Sequence, residues 1–345
     1  MPSHSYPMYP MPFPLSVYQA DVIDRLCRFS SARITTLRGS PRVKGQFQRQ
    51  CGAAIISALM VVAIAAALSA TMTVQVSRWL DTVANERRSV QATSILRAAL
   101  DWTGIILEQD ARTSTSDHLN EAWAQTLPPI PLDQEGDLQG RITDACANFN
   151  LNNLIAEDGN IDMRWLKAYR RLLETLGLPG DLALILADWL DRNSVTVSGE
   201  PERWGDRLLP ANRPLRMPGE IAVLPGYSPA VIERLKPYIT ALPERSAVNV
   251  NTASAEVLNA LVDGDSSNIG ALIVERQRLP FRDMADLQSR LTNSHIQVEN
   301  QLMDVSSRWF IVTGKVRFRH GVLYLEALIH RTGGRSQLVW WITRE

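Results

Sequence analysis

Residues 48–63 read QRQCGAAIISALMVVA, and the meaning of Gly52 within them decides how the rest of the chain folds. Arg42, Lys44 and Arg49 precede the glycine, and no charge follows it until Arg78. As a helix, the apolar segment 53–76 would reach about 36 Å at ~1.5 Å per residue, against a hydrocarbon core of ~30 Å. A cleaved secretion signal has an apolar region of only ~7–15 residues, so this segment is too long for one. Basic residues on its N-terminal side favour keeping that side cytoplasmic, which would place everything beyond Arg78 across the inner membrane.

Upstream, residues 1–14 (MPSHSYPMYPMPFP) are rich in Pro, Tyr and Met and polyproline-like. Residues 15–50 are polar and basic, with no acid after Asp24. Residues 1–52 are therefore expected to be a disordered basic leader that is removed. Downstream, Trp79, Val83, Ile95, Leu96, Ala99, Leu100 and Trp102, continued by Ile105, Ile106 and Leu107, form a loose apolar stripe among charges. One helix over 53–112, transmembrane over 53–77, accounts for both halves. A Pro-rich connector at 127–131 precedes a strand beginning at Asp137.

The texture then changes. Short helices are expected at 163–176, 181–190, 220–223, 229–238, 253–262, 269–278 and 284–291, punctuated by Pro179, Pro225, Pro243 and Pro280. Three strands follow at 309–320, 322–330 and 337–343, with turns at His320-Gly321 and Gly333-Gly334. The order is long helix, strand, helical block and antiparallel meander. That order predicts an α+β fold in which 113–153 and 304–345 build one domain and 154–303 is an inserted helical domain.

Lys+Arg and Asp+Glu are balanced at 36 each, so no global field gathers nucleic acid or an anionic surface. The cysteines Cys27, Cys51 and Cys146 are widely spaced; a cut after Gly52 leaves Cys146 alone, without a disulfide partner. His118, His295, His320 and His330 stand singly, and neither a nucleophile motif nor a phosphate-cradling loop is present, so the chain reads as non-enzymatic with no required cofactor.

Basic residues, a glycine and an immediate apolar helix are the pattern cut by a prepilin peptidase; on the junction alone, an ordinary single-span anchor with a glycine at its boundary is the alternative. Cleavage between Gly52 and Ala53 would remove the charges and leave the helix as an N-terminal anchor in the lipid bilayer. Five further segments follow in order: NFNLNNL (148–154), DWLD (188–191), LKPYITALP (235–243), VNVNTASAEVL (248–258) and VSSRWF (305–310). Together with GAAIIS (52–57) they make the chain resemble the type II secretion system protein K family of minor pseudopilins. The resemblance implies a pilin-like fold, with the long helix packed on an antiparallel sheet and a helical domain inserted. It also implies a tip complex with the other minor pseudopilins, contact with the inner-membrane secretion platform, processing and methylation of the new N-terminus, and calcium binding in the helical domain. Ordinary pseudopilins carry Glu at the fifth mature position. Here that position is Ser57, so the chain has no carboxylate to offer a neighbour's ammonium, as suits the end of a filament.

Asp188, Asp191, Asn193, Glu200, Glu202 and Asp206 offer clustered oxygen ligands of the kind Ca²⁺ takes. Val195 and Thr196 occupy the fifth and sixth places counted from Asp191, so the run is not an EF-hand; solvated, helix-capping acids are the alternative. The segment 248–281 also resembles a helix-hairpin-helix, the DNA-contacting element of a membrane-anchored uptake protein. Asp263 and Asp265 would repel phosphate in its hairpin, which disfavours nucleic acid as a partner. Thr252 or Ser254 reads instead as a helix N-cap with Glu256 in the first turn.

Overall fold

The computed structural model describes residues 51–126, 128–132, 136–192, 212–263, 269–292, 297–298, 301–318 and 321–344. The chain divides into two compact units, Met1–Ser77 and Arg78–Glu345. Helix α1 (Cys51–Thr113) contributes to both.

In the first unit α1 leaves its apolar side chains uncovered; Ile56 is 68% and Met72 70% exposed. The helix is long and apolar enough to cross a membrane, with a mean hydropathy of 2.3 in its most apolar window, none of it buried. Ser69 and Thr73 donate their hydroxyls to Ala65 O and Ser69 O, each at 2.8 Å. Such back-bonding satisfies hydroxyls inside the helix, which a lipid environment demands of any polar group within it.

In the second unit α1 is followed by a 3₁₀ turn, Ala122–Ala124, and strands β1 (Ile130–Leu132) and β2 (Gly136–Asp144). The helical block opens with β3 (Phe149–Asn150), α2 (Met163–Thr175), α3 (Leu182–Leu190), α4 (Pro229–Leu235) and β4 (Ile239–Thr240). It continues with β5 (Val248–Asn249), α5 (Ala255–Leu261), β6 (Val262–Asp263), α6 (Ile269–Arg278), α7 (Met284–Thr292), β7 (Gln297–Val298) and β8 (Met303–Asp304). Strands β9 (Trp309–Phe318), β10 (Gly321–Thr332) and β11 (Arg335–Arg344) close the chain. The main sheet has the order β1-β2-β9-β10-β11, antiparallel throughout. The helical block therefore interrupts two neighbouring strands of one sheet, β2 and β9.

The second-unit part of α1 buries Ala92, Leu96, Leu100, Thr103 and Leu107, the three-and-four spacing of one face of a 3.6-residue helix. The stripe packs on Phe310, Val312 and Val316 of β9 and Leu325, Ala327 and Ile329 of β10. The stripe read from the sequence is wider than this. Trp79, Trp102 and Ile105 are 65%, 51% and 60% exposed; Trp102 and Ile105 sit roughly 140–200° around the helix from Leu100. Close approach of helix and sheet depends on Gly314, where an added Cβ would lie 3.1 Å from Leu96 Cδ2 and 3.3 Å from Leu325 Cδ2. Gly314→Val is expected to destabilise the domain by about 1–3 kcal/mol through overpacking, read as a lowered urea midpoint with an unchanged m-value.

Two features depart from the sequence reading, and one turn agrees with it. The Pro-rich connector contains strand β1, which tolerates Pro131 because it lies at the sheet edge. The turn between β10 and β11 is Gly333-Gly334 as expected, with φ of +59° and +75°, whereas residues 319–320 of the other expected turn lie outside the described residues. Segment 220–223 is a 3₁₀ helix, Pro218–Val223.

Candidate functional site

The bond between Gly52 and Ala53 falls in the first turn of α1, and Ser57, one turn further, is exposed. Asp188 lies near the end of α3, and Asp191 caps that helix through its N–H to Ala187 O at 3.0 Å. Both are buried, Asp191 completely. Asn193, Glu200, Glu202 and Asp206 lie outside the described residues. The structure thus places two carboxylates one helical turn apart, where the acidic run begins.

The two Asn-rich motifs do the same structural work twice. Asn150 Oδ1 accepts from Asn152 N at 3.2 Å, and Asn249 Oδ1 accepts from Asn251 N at 2.9 Å. Asn152 then clamps Leu215, donating to its carbonyl at 2.9 Å and accepting from its N–H at 2.7 Å. Asn251 clamps Phe281 in the same manner, at 2.9 and 2.8 Å. Each motif also starts a two-residue parallel pairing, β3 with β4 and β5 with β8. The helical block is built from two halves sharing one device, in which a buried carboxamide imitates the N–H and C=O of a strand. Buried backbone groups must find partners, and here side chains supply them.

The second motif also joins the helical block to the sheet. Asp144, at the end of β2, is buried and accepts from Cys146 N (2.7 Å), Asn249 Nδ2 (3.0 Å), Thr252 Oγ1 (2.5 Å) and Ser307 Oγ (2.6 Å). Ser307 N donates to Asp117 at 2.7 Å. Arg331 of β10 donates to Asp117, to Asp110 at 2.9 Å and to Ser307 O at 3.0 Å, with its guanidinium 4.7 Å from the Phe310 ring centroid. Burial pushes the Asp110 and Asp144 carboxyls up to about 6 and raises Asp117 as well. In Asp110 the neighbouring Glu121 adds to this rise, while Arg331 opposes it. Carboxylate oxygens of Asp110, Asp117 and Glu121 come within 4.8 Å of one another. Arg331 already serves two of these acids, and Glu121 accepts from His118 N and Trp123 Nε1. The cluster is an ion-paired joint linking α1, the segment after it, β2, the second Asn motif and β10. Ser254, not Thr252, is the N-cap of α5, since Thr252 is spent on Asp144.

In and just beyond the segment resembling a helix-hairpin-helix, Arg276 and Arg290 are spent within the fold, while Arg278 and Arg282 are exposed. Arg276 is buried and donates to Val250 O and Ala253 O, and burial pushes its guanidinium down to about 10, so it stays charged near neutral pH. Arg290 pairs with Asp286 at 2.7 Å and lies 4.9 Å from the Phe281 ring centroid. Val262-Asp263 of the expected hairpin is strand β6, paired with β7, and Asp265 lies outside the described residues. Neither Arg276 nor Arg290 is presented to a phosphate. Of the single histidines, His330 stacks on Trp309 with ring centroids 4.0 Å apart, a packing role.

A long apolar N-terminal helix, an antiparallel sheet packed on its second part, and a helical block set between two sheet strands define a pilin-like α+β protein. The profile of the type II secretion system protein K family matches residues 147–244 and 248–306, a division falling between the two Asn-clamped halves. The chain is 31% identical over 283 residues to type II secretion system protein K of Pseudomonas aeruginosa, covering 77% of this chain and 84% of that protein. With the Klebsiella pneumoniae protein of the same name it shares 28% over 324 residues, 86% of this chain and 99% of that one. A chain in the crystal structure of the GspK-GspI-GspJ complex from the type 2 secretion system of enterotoxigenic Escherichia coli shares the fold. It superposes with a TM-score of 0.64 at 22% identity, covering 76% of this chain and 98% of that one. The protein belongs to the type II secretion system protein K family.

Proposed function

We propose that the protein is a minor pseudopilin that caps the tip of the type II secretion pseudopilus and helps initiate its assembly for export across the outer membrane. The observation that carries this reading is Ser57, an uncharged residue where ordinary pseudopilins hold an acid, on an exposed apolar helix of a family K chain. A subunit without that carboxylate cannot neutralise a neighbour above it, and a buried ammonium without a partner is costly. Prepilin peptidase would cut between Gly52 and Ala53, and the new N-terminus would be methylated. Before extraction by the secretion platform the chain would span the inner membrane once, its N-terminus cytoplasmic and its C-terminal domain periplasmic.

The similar fold comes from a complex of three secretion-system proteins, which supports a heterocomplex with other minor pseudopilins. Trp79, Leu80, Val90, Trp102 and Ile105, exposed apolar residues of the second unit's part of α1, supply a surface for neighbouring helices. The reading is tested by immunogold labelling of overassembled pseudopili in a strain complemented with an epitope-tagged chain. Label at one end of each filament is expected, and label distributed along the shaft would contradict it.

Calcium is part of the proposal. Two buried carboxylates open a run in which Asn193, Glu200, Glu202 and Asp206 add carboxamide and carboxylate oxygens, a hard donor set of the kind Ca²⁺ prefers. Asp188 and Asp191, with Asn193, Glu200, Glu202 and Asp206, would hold the ion and tie the run to the end of α3. At about 100-fold excess over Kd, ligand linkage adds about 2.7 kcal/mol. Millimolar Ca²⁺ is therefore expected to raise Tm by several degrees over EGTA, Mg²⁺ much less, and Asp191→Asn to remove most of the difference.

A further inference from the structure

The sheet buries one face against α1 and, over its outer half, leaves the other open. Directly opposed residues of an antiparallel sheet share a face, so the register lays out that open side. Lys315, Tyr324 and Arg344 form one row across β9, β10 and β11. In the next row Arg141 of β2 reaches, through Thr313, Glu326 and Ile342. These residues line a groove of about 810 Å³, walled on one side by Thr126 and Pro129.

Charge in the groove is unbalanced although the whole chain carries a formal charge of zero. Arg141 donates to the Thr126 hydroxyl at 3.0 Å, and Lys315 Nζ lies 5.7 Å from the Tyr324 ring centroid. Neither is within ion-pair distance of a carboxylate among the described residues. Arg344 approaches Glu326 only at 3.9 Å, with 70% of its side chain exposed. The neighbouring Arg317 is already neutralised by Asp137 at 2.6 Å. Among the described residues, three cations thus face one acid, around a half-exposed tyrosine and a partly exposed isoleucine.

We infer that this groove is a docking surface for an acidic, extended segment of a partner protein, with Arg141, Lys315 and Arg344 binding its carboxylates and Tyr324 and Ile342 packing against its apolar side chains. Neighbouring strands lie about 4.8 Å apart, so the row Lys315, Tyr324 and Arg344 spans roughly 10 Å across three strands, a length that an extended segment of about four residues covers. Nucleic acid fits less well, because its closely spaced phosphates would also meet Glu326 and Asp137.

The test uses the full chain in non-ionic detergent and fluorescence anisotropy with a labelled alternating Glu-Thr peptide. Alternating Ser-Thr and Lys-Thr peptides and oligothymidylate serve as the comparison probes. The Glu-Thr peptide is expected to bind at low salt and to be released as salt rises. Affinity should fall about tenfold in the triple variant Arg141→Gln, Lys315→Gln, Arg344→Gln and rise about threefold in Glu326→Gln. The gain in the second variant cannot come from misfolding. No binding of the Glu-Thr peptide, affinity unchanged in both variants, or equal binding of oligothymidylate would each overturn the proposal.

Discussion

Replacing Arg331 by methionine is expected to cost about 3–5 kcal/mol of stability at pH 7.5, because it leaves buried carboxylates without their cation. Arg331 is 8% exposed and donates to Asp110, Asp117 and two backbone carbonyls. Even with Arg331 present, burial holds Asp110 at about 6 and raises Asp117. Removing the cation pushes both higher still. The folded variant then binds protons that the unfolded chain, with acids near 3.8, does not, so its stability falls as pH rises through the raised values. Urea unfolding at pH 5 and pH 7.5 should therefore show the smaller loss at pH 5. An equal loss at both pH values would mean that Arg331 acts through packing on Phe310 and not through charge.

Asn152→Ala is expected to cost about 3–4 kcal/mol, since a buried donor or acceptor left without a partner loses about 1–3 kcal/mol. The substitution strands the N–H and C=O of Leu215 and the C=O of Leu242, on residues 2% and 1% exposed. Leu215 follows the acidic run closely in sequence, so the loss should be local as well as global. Amide exchange at Leu215 is expected to accelerate far more than exchange in β9 or β10, and stabilisation by Ca²⁺ should shrink. Uniform acceleration across the domain would instead show that Asn152 supports the fold as a whole rather than that segment.

These two sites mark what the sequence made legible. The apolar run after Gly52, the alternation in the C-terminal strands and the Pro-punctuated helices are period signals, and the structure follows them closely; α6 spans Ile269–Arg278 as expected. The Asn motifs were visible as motifs, but their role was not. A carboxamide that clamps a distant backbone segment needs a partner 30 to 63 positions away, and local pattern carries no information about that distance. Arg331 left a fainter trace. Leu323, Leu325, Ala327 and Ile329 alternate onto the buried face of β10, and continuing that phase places Arg331 inward, where an arginine demands acidic partners. Asp110, Asp117 and Asp144 come from separate segments and had no such signal. The stripe on α1 was overread because Trp102 and Ile105 are apolar without facing the sheet. On a filament subunit, exposed apolar residues on a helix are an interface signal. Of the six residues proposed to hold Ca²⁺, Asp188 and Asp191 are the two among the described residues.

The central claim is that Gly52 marks a cut site and that the helix after it begins the mature protein. Intact mass and N-terminal sequence of the chain isolated from membranes of a cell with an active prepilin peptidase test it most directly. A mature chain beginning at Ala53, followed by Ala54, Ile55, Ile56 and the uncharged Ser57, is the predicted result. A chain that retains residues 45–52, or one that begins beyond the apolar run, would contradict it.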